Sequence, residues 1–168
     1  MSEARSFGPS EVQNFLPHRF PFLFVDRIES LEVAKDKDGS ERQLGTKVVG
    51  IKAATINEPY FVGHFPGMPI TPGVVLIETM AQVASFALFP WVKGEADTEY
   101  TYEMRLAGVD GARFRKPFVP GDVLRITAEV IKYRNPLWGF KCVAVSALDG
   151  SVVAECELLA SVSIERKK

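Results

Sequence analysis

The stretch GVVLIETMAQVASFALFP, from Gly73 to Pro90, is the longest apolar run in the chain and decides how it folds. Thr71-Pro72 precedes it and suits a helix start, because a Thr side chain accepts an orphan amide at the N-cap and Pro in the first turn has no N–H to leave unpaired. Pro90 is expected to stop the helix. The length approaches a bilayer span, yet Glu78 and Gln82 interrupt it and the flanks are not basic, so a membrane would have to bury a costly carboxylate. The stretch reads instead as a helix buried nearly all round. Strand-like segments surround it at 23–34, 43–53, 111–118 and 123–133, with a closing hairpin over 139–164. The run KDKDGSER, Lys35 to Arg42, is expected to be a solvated hairpin tip. One long helix among antiparallel strands defines an α+β fold whose sheet wraps the helix.

A chain of 168 residues matches about one domain, taken as 1–168 with 1–9 expected to be flexible. With 46% apolar and 24% charged residues, disorder, collagen-like repeats and a disulfide-dense miniprotein are excluded. A formal net charge of -1 leaves no bulk positive field for a phosphate backbone, so nucleic acid is not an expected partner. The opening MSEARSFGPSEVQ has no apolar stretch behind its charges, so neither a secretory signal nor a membrane anchor is expected, and the cytosol is the expected location. Cys142 and Cys156 are too few for a disulfide framework and are not spaced as a zinc site. If Asp149-Gly150 is a two-residue turn, Cys142 faces Glu157 and Cys156 faces Val143, which puts the two thiols on opposite sides of the sheet as reduced structural residues. Trp138 and Phe140 alternate on the same hairpin and read as core or tunnel wall.

Glu78 is the only charge in the apolar helix, and a shielded carboxyl is either paired or has its pKa raised by desolvation. Fourteen residues earlier, His64 sits in GHFPGMP, a loop rich in Gly and Pro that leads directly into the helix N-terminus. An imidazole, a carboxyl and free helix amides in one pocket could move a proton beside a carbonyl. The bland alternatives are a surface His and a structural Glu bonded to an amide or a buried Arg.

The segment NEPYFVGHFPGMPITPGVVLIETMAQ, Asn57 to Gln82, resembles the active-site signature of the bacterial 3-hydroxyacyl-acyl-carrier-protein dehydratases, FabZ type, of type II fatty acid synthesis. LPHRFPFLFVDRI from Leu16, LAGVDGARFRKPFVPGD from Leu106 and DGSVVAECEL from Asp149 match the same family in the same order. The resemblance implies a hot-dog fold and a homodimer with sheets joined edge to edge, commonly three dimers to a hexamer. It implies His64 of one chain and Glu78 of its partner as the catalytic pair, and no metal or cofactor. Gly73 would hold the thioester carbonyl through its amide, with Phe65, Pro72 and Gln82 as further substrate-binding positions. His64 would serve as base, and Glu78, shielded by Val74 to Ile77, would serve either partly protonated as acid or as the group orienting a water.

The implied partner is an acyl carrier protein bearing a 3-hydroxyacyl-phosphopantetheine. Arg113, Arg115 and Lys116 are candidates for a basic rim that docks its acidic surface, or else a solvated strand face. Glu78 in place of Asp favours the plain dehydratase over the dehydratase-isomerases, and the HFPGxP loop argues against the hot-dog thioesterases. Two alternatives remain open: the same dehydration in a polyketide or polyene pathway, and an acyl-thioester-binding hot-dog protein without catalysis. Arg105 stands where the family has an aromatic residue gating its tunnel, so either Tyr100 or Tyr102 gates or the mouth is built differently. His18, in LPHRFPF, is expected to support packing near the N-terminal helix.

Overall fold

The computed structural model describes residues 4–92 and 100–166. Its axis is helix α2 (Gly73–Ser85), which tightens into a 3-10 turn at Phe86–Leu88 and continues as the short α3 (Phe89–Val92). Pro90 therefore does not end the helix. The i to i−4 ladder has already given way to 3-10 geometry ahead of it, and in the first turn of α3 its missing N–H costs nothing. The N-cap is Pro72 and not Thr71: the Pro72 carbonyl accepts the Val75 and Leu76 amides at 2.9 and 3.2 Å, while the Thr71 amide pairs with the Phe118 carbonyl at 2.8 Å.

Among the described residues seven strands form one antiparallel sheet around this axis: β1 (Arg5–Phe7), β2 (Arg27–Lys35), β3 (Glu41–Ala53), β4 (Tyr100–Phe114), β5 (Val123–Arg134), β6 (Leu137–Ser146) and β7 (Val152–Arg166). Their order is β1-β2-β3-β5-β6-β7-β4. A helix α1 (Pro9–Phe15) packs against β1 and β2. The N-terminus expected to be flexible is structured from Arg5: β1 pairs with β2, and Phe7 is buried against the rings of Phe86 and Phe89. Strand 23–34 begins only at Arg27, and the strand expected at 111–118 is the end of the much longer β4. The tip between β2 and β3 is exposed and closed by Asp36–Ser40 and Gly39–Asp36 main-chain bonds.

Thr79 to Ser85 is buried without a break, whereas Val74 near the start of α2 is 73% exposed, so burial all round holds only for the second half of the helix. The helix lies so close to the sheet that a Cβ on Gly50, in β3, would fall 2.5 Å from a Val83 methyl. Glycine is what permits that approach.

The β6–β7 register corrects the expected placement of the thiols. Cys142 pairs directly with Cys156 and Ala144 with Ala154, so both cysteines point to the helix side, buried and unbridged. The turn is longer than two residues: Ser146 and Ser151 pair at 2.9 Å, and the Asp149 carboxylate accepts the Ser151 amide at 3.0 Å. That widened turn and a register shift at Ala144/Val145 move the pairing by one residue. The gain is burial, because Phe140, Cys142 and Ala144 now share a face with Ala154, Cys156 and Leu158.

Candidate active site

The His64 loop hangs from two anchors. Lys52, buried at the end of β3, pairs with Glu58, and Asp26 accepts the Ala53 amide at 2.6 Å, with burial pushing the Asp26 carboxyl above its usual range. From there a 3-10 turn at Pro59–Val62 buries Phe61, and the His64 amide returns to the Tyr60 carbonyl at 2.9 Å. Phe65 and Met68 exchange main-chain bonds at 3.1 and 2.9 Å, a tight turn that needs Gly67 at φ +78°.

His64 is half-buried, with its ring stacked on Phe65 at 4.0 Å between centroids. Its Nδ1 lies 2.7 Å from the Ile70 carbonyl oxygen. A carbonyl only accepts, so Nδ1 carries a proton, and in the neutral ring the lone pair is then on Nε2, the tautomer a general base requires. This imidazole borders a cavity of about 680 Å³ whose walls include Pro72, Gly73, Ile77, Phe114 and Phe118. Gly73 is fitted closely there, since a Cβ would stand 2.8 Å from the Phe114 ring. Its amide opens α2 and has no acceptor within the helix, so it is a donor aimed at whatever lies at the helix start. The Thr71 hydroxyl, on the same wall, is buried without a hydrogen-bond partner.

Glu78 does not border the His64 cavity. Its Oε1 receives His18 Nε2 at 3.2 Å and Gln82 Nε2 at 2.9 Å. The hydrogen bond from His18, with that from Gln82, holds the carboxyl below the usual carboxylate range despite partial burial. The expectation of a partly protonated acid is thereby corrected: two donors on one oxygen stabilise the anion. Gln82 is corrected as well. Its amide oxygen accepts the Phe24 amide at 2.9 Å and its nitrogen also donates to the Phe22 carbonyl at 2.8 Å, so both of its N–H groups are taken and the side chain is held by the fold.

The basic rim is largely neutralised within the chain. Arg115 Nε donates to Glu155 at 3.1 Å, and Lys116 donates to Asp149 and Ser151 at 2.5 and 3.2 Å. Among the described residues Arg113 bonds only to the Ala112 carbonyl, at 2.9 Å, with no carboxylate paired to its charge. Arg105 is 80% exposed and paired with Glu103, so it turns away from the interior. Tyr102 is also no gate: its hydroxyl donates to the Phe15 carbonyl at 3.1 Å and its ring stacks on Phe15, pinning α1. The Tyr100 side chain lies outside the described residues. Trp138 and Phe140 are core. His18 is the residue that sequence reasoning assigned to packing and that the structure brings to the carboxylate; its only signal was rarity, as one of two histidines. Among the described residues no three His, Cys, Asp or Glu side chains converge as a metal-ligand set.

A sheet wrapped around one central helix is the hot-dog fold, and solved structures share it. A hot-dog-like protein from Thermanaerovibrio acidaminovorans superposes with a TM-score of 0.56 at 17% identity, covering 71% of this chain and 82% of its own. The dehydratase heterocomplex ApeI:P from Xenorhabdus doucetiae gives 0.64 at 19% identity, covering 89% of each chain. At the level of sequence, residues 16–157 match the FabA-like domain. The chain is 42% identical over 152 residues to the 3-hydroxyacyl-[acyl-carrier-protein] dehydratase FabZ of Myxococcus xanthus, covering 90% of this chain and 89% of that one. It is 45% identical over 150 residues to the FabZ of Syntrophotalea carbinolica, covering 89% and 90%. The chain therefore belongs to the FabA-like family, where it stands with the FabZ-type dehydratases, which are lyases of fatty acid biosynthesis.

Proposed function

We propose that the protein removes water from a (3R)-hydroxyacyl thioester held on an acyl carrier protein, giving the trans-2-enoyl thioester, as in type II fatty acid elongation in the cytosol. The observation that carries this reading is His64, its Nδ1 engaged by the Ile70 carbonyl and its ring at the wall of an apolar cavity, which leaves Nε2 as the nitrogen for chemistry. The site is completed by a second copy of the chain, so that His64 of one chain works with Glu78 of the partner subunit. Supporting this, Glu78 is not on the wall of the His64 cavity, and Val74, near the start of α2, is uncovered apolar surface. Dimers of this kind would assemble in threes.

In the reaction the Gly73 amide donates to the thioester carbonyl oxygen, where negative charge grows as C2 loses its proton. His64 Nε2 takes that proton, the C2–H electron pair becomes the C2–C3 double bond, and the C3–O bond breaks. The Glu78 carboxylate accepts a hydrogen bond from the 3-hydroxyl and orients it, while the imidazolium returns its proton so that the oxygen leaves as water. Pro72, Ile77 and the other apolar walls exclude solvent from the acyl chain, while Phe65, half exposed and stacked on the His64 ring, lies outside that lining.

The test is incubation of purified protein with 3-hydroxyacyl carrier-protein thioesters of several acyl lengths, following enoyl formation. Turnover is expected at one or more lengths, and failure at all of them favours a binding protein without catalysis. Carrier docking would use Arg113, Arg115 and Lys116 unequally. Arg113→Glu should raise KM for a carrier-protein substrate several-fold more than for a pantetheine analogue, because only the former brings an acidic surface. Reversal of Arg115 or Lys116 should do less, since Glu155 and Asp149 already neutralise them. The carrier-specific effect should fade with salt, as screening shortens electrostatic reach to about 8 Å near 0.15 M. Equal KM changes on both substrates would remove Arg113 from docking.

A further inference from the structure

Two donors meet on one oxygen of Glu78. His18, in the segment between α1 and β2, brings Nε2 to 3.2 Å from Oε1, and Gln82 Nε2 reaches the same atom at 2.9 Å. No other described group bonds the carboxylate, and Oε2 is left without a partner. Gln82 cannot turn over, because exchanging its oxygen and nitrogen would set oxygen against the Phe22 carbonyl and nitrogen against the Phe24 amide. His18 is held through its own main chain: the Arg19 guanidinium donates to the carbonyls of Leu16 and His18 at 2.9 and 2.6 Å. The other ring nitrogen of His18, Nδ1, is buried with no partner, so Nε2 is the nitrogen through which the ring acts. Both side chains remain partly accessible, at 29% and 27% exposure, so the pair is not sealed inside the fold.

We propose that His18 is a positioning residue for the dehydration: together with Gln82 it occupies Glu78 Oε1 and fixes the carboxylate in one orientation, leaving Oε2 as the acceptor for the substrate hydroxyl. The proposal rests on the reading that Glu78 acts in the reaction. A carboxylate with both oxygens free would rotate among orientations, and only some would meet the hydroxyl. Misplacement of a reacting group by about 1 Å costs on the order of 100-fold in rate. Gln82 alone constrains one direction; the second donor, from a different element, constrains the plane.

The test compares His18→Gln with His18→Asn. The Gln amide nitrogen falls near the place of the imidazole Nε2, whereas the Asn amide falls near Nδ1 and cannot reach Glu78. H18N should lower kcat by about 10-fold to 100-fold with KM within about threefold, the pattern of an interaction realised in the transition state, and H18Q should recover most of the loss. In an E78Q background H18N should cost little more, because the group it positions is already gone. Both variants are polar and close in size, so a general loss of packing would lower them together; thermal unfolding of each checks that they fold. Wild-type kcat in H18N, equal losses in H18N and H18Q, or full additivity with E78Q would overturn the role of His18 and leave the proposed reaction standing. Wild-type turnover in E78Q would overturn the reading of Glu78, and the role of His18 with it.

Discussion

His64→Ala should abolish nearly all turnover, by at least the roughly 100-fold expected for loss of a proton-transfer group, while the protein stays folded. The ring is half-buried on an exposed loop, and its Nδ1 bond to Ile70 is one of two links to that residue; the main-chain bond from the Ile70 amide to the His64 carbonyl, at 3.0 Å, survives the substitution. Loop shape is thus separable from chemistry. Glu78→Gln should cost a comparable factor, because an amide keeps the shape and the acceptor for His18 and Gln82 but replaces the free carboxylate oxygen with a donor. Steady-state rates on a carrier-protein thioester, with circular dichroism of each variant, check both. A variant that folds and turns over within about threefold of wild type would remove its residue from proton transfer or substrate orientation.

Gly50→Ala should be strongly destabilising, since among the described glycines its Cβ would make the closest approach to a neighbour. Gly50 lies mid-sheet, paired with Ile28 in β2 and Ile126 in β5, both fully buried, and the added Cβ would sit 2.5 Å from one Val83 methyl and 3.1 Å from the other. Val83 is itself fully buried on a helix wrapped by the sheet, so neither partner can step aside freely. Overpacking of this kind costs about 1–3 kcal/mol. For a domain of this size each kcal/mol lowers Tm by about 2–4 °C. Val83→Ala opens space at the same point, so the double variant should be more stable than the sum of the two single losses predicts. Additive losses in thermal melts would show that the contact is relieved elsewhere.

Much of this was legible from local pattern. The apolar run at Gly73 to Pro90 identified the central helix, KDKDGSER marked an exposed tip, and the Gly- and Pro-rich stretch around His64 is the shaped loop that stands at the helix start. What escaped depended on partners far away in sequence. Glu78 was expected to be a shielded acid because its donor His18 comes from another element, 60 residues before it. Arg115 and Lys116 looked like free cations because their carboxylates lie 40 and 33 residues downstream. Gln82 looked free for substrate, but its amide is taken up by Phe22 and Phe24.

The thiol register could have been found. In β6 the apolar side chains at 138, 140, 142 and 144 are even-numbered, and so are those at 154, 156, 158 and 160 in β7. Two strands burying the same face must pair even with even, which a two-residue turn at Asp149-Gly150 does not allow. Pattern outranks turn chemistry when one face of a hairpin is covered by a helix.

The central claim is that His64 and Glu78 act on one thioester from different chains, and mixing two inactive variants tests it most directly. His64→Ala and Glu78→Gln are unfolded together, refolded so that subunits redistribute, and assayed on a carrier-protein thioester. A mixed dimer then contains one site with both residues intact and one with neither, so activity well above that of either parent is expected. Mixed dimers that form, as shown by a mass tag on one variant, and remain as inactive as the parents would contradict the shared site.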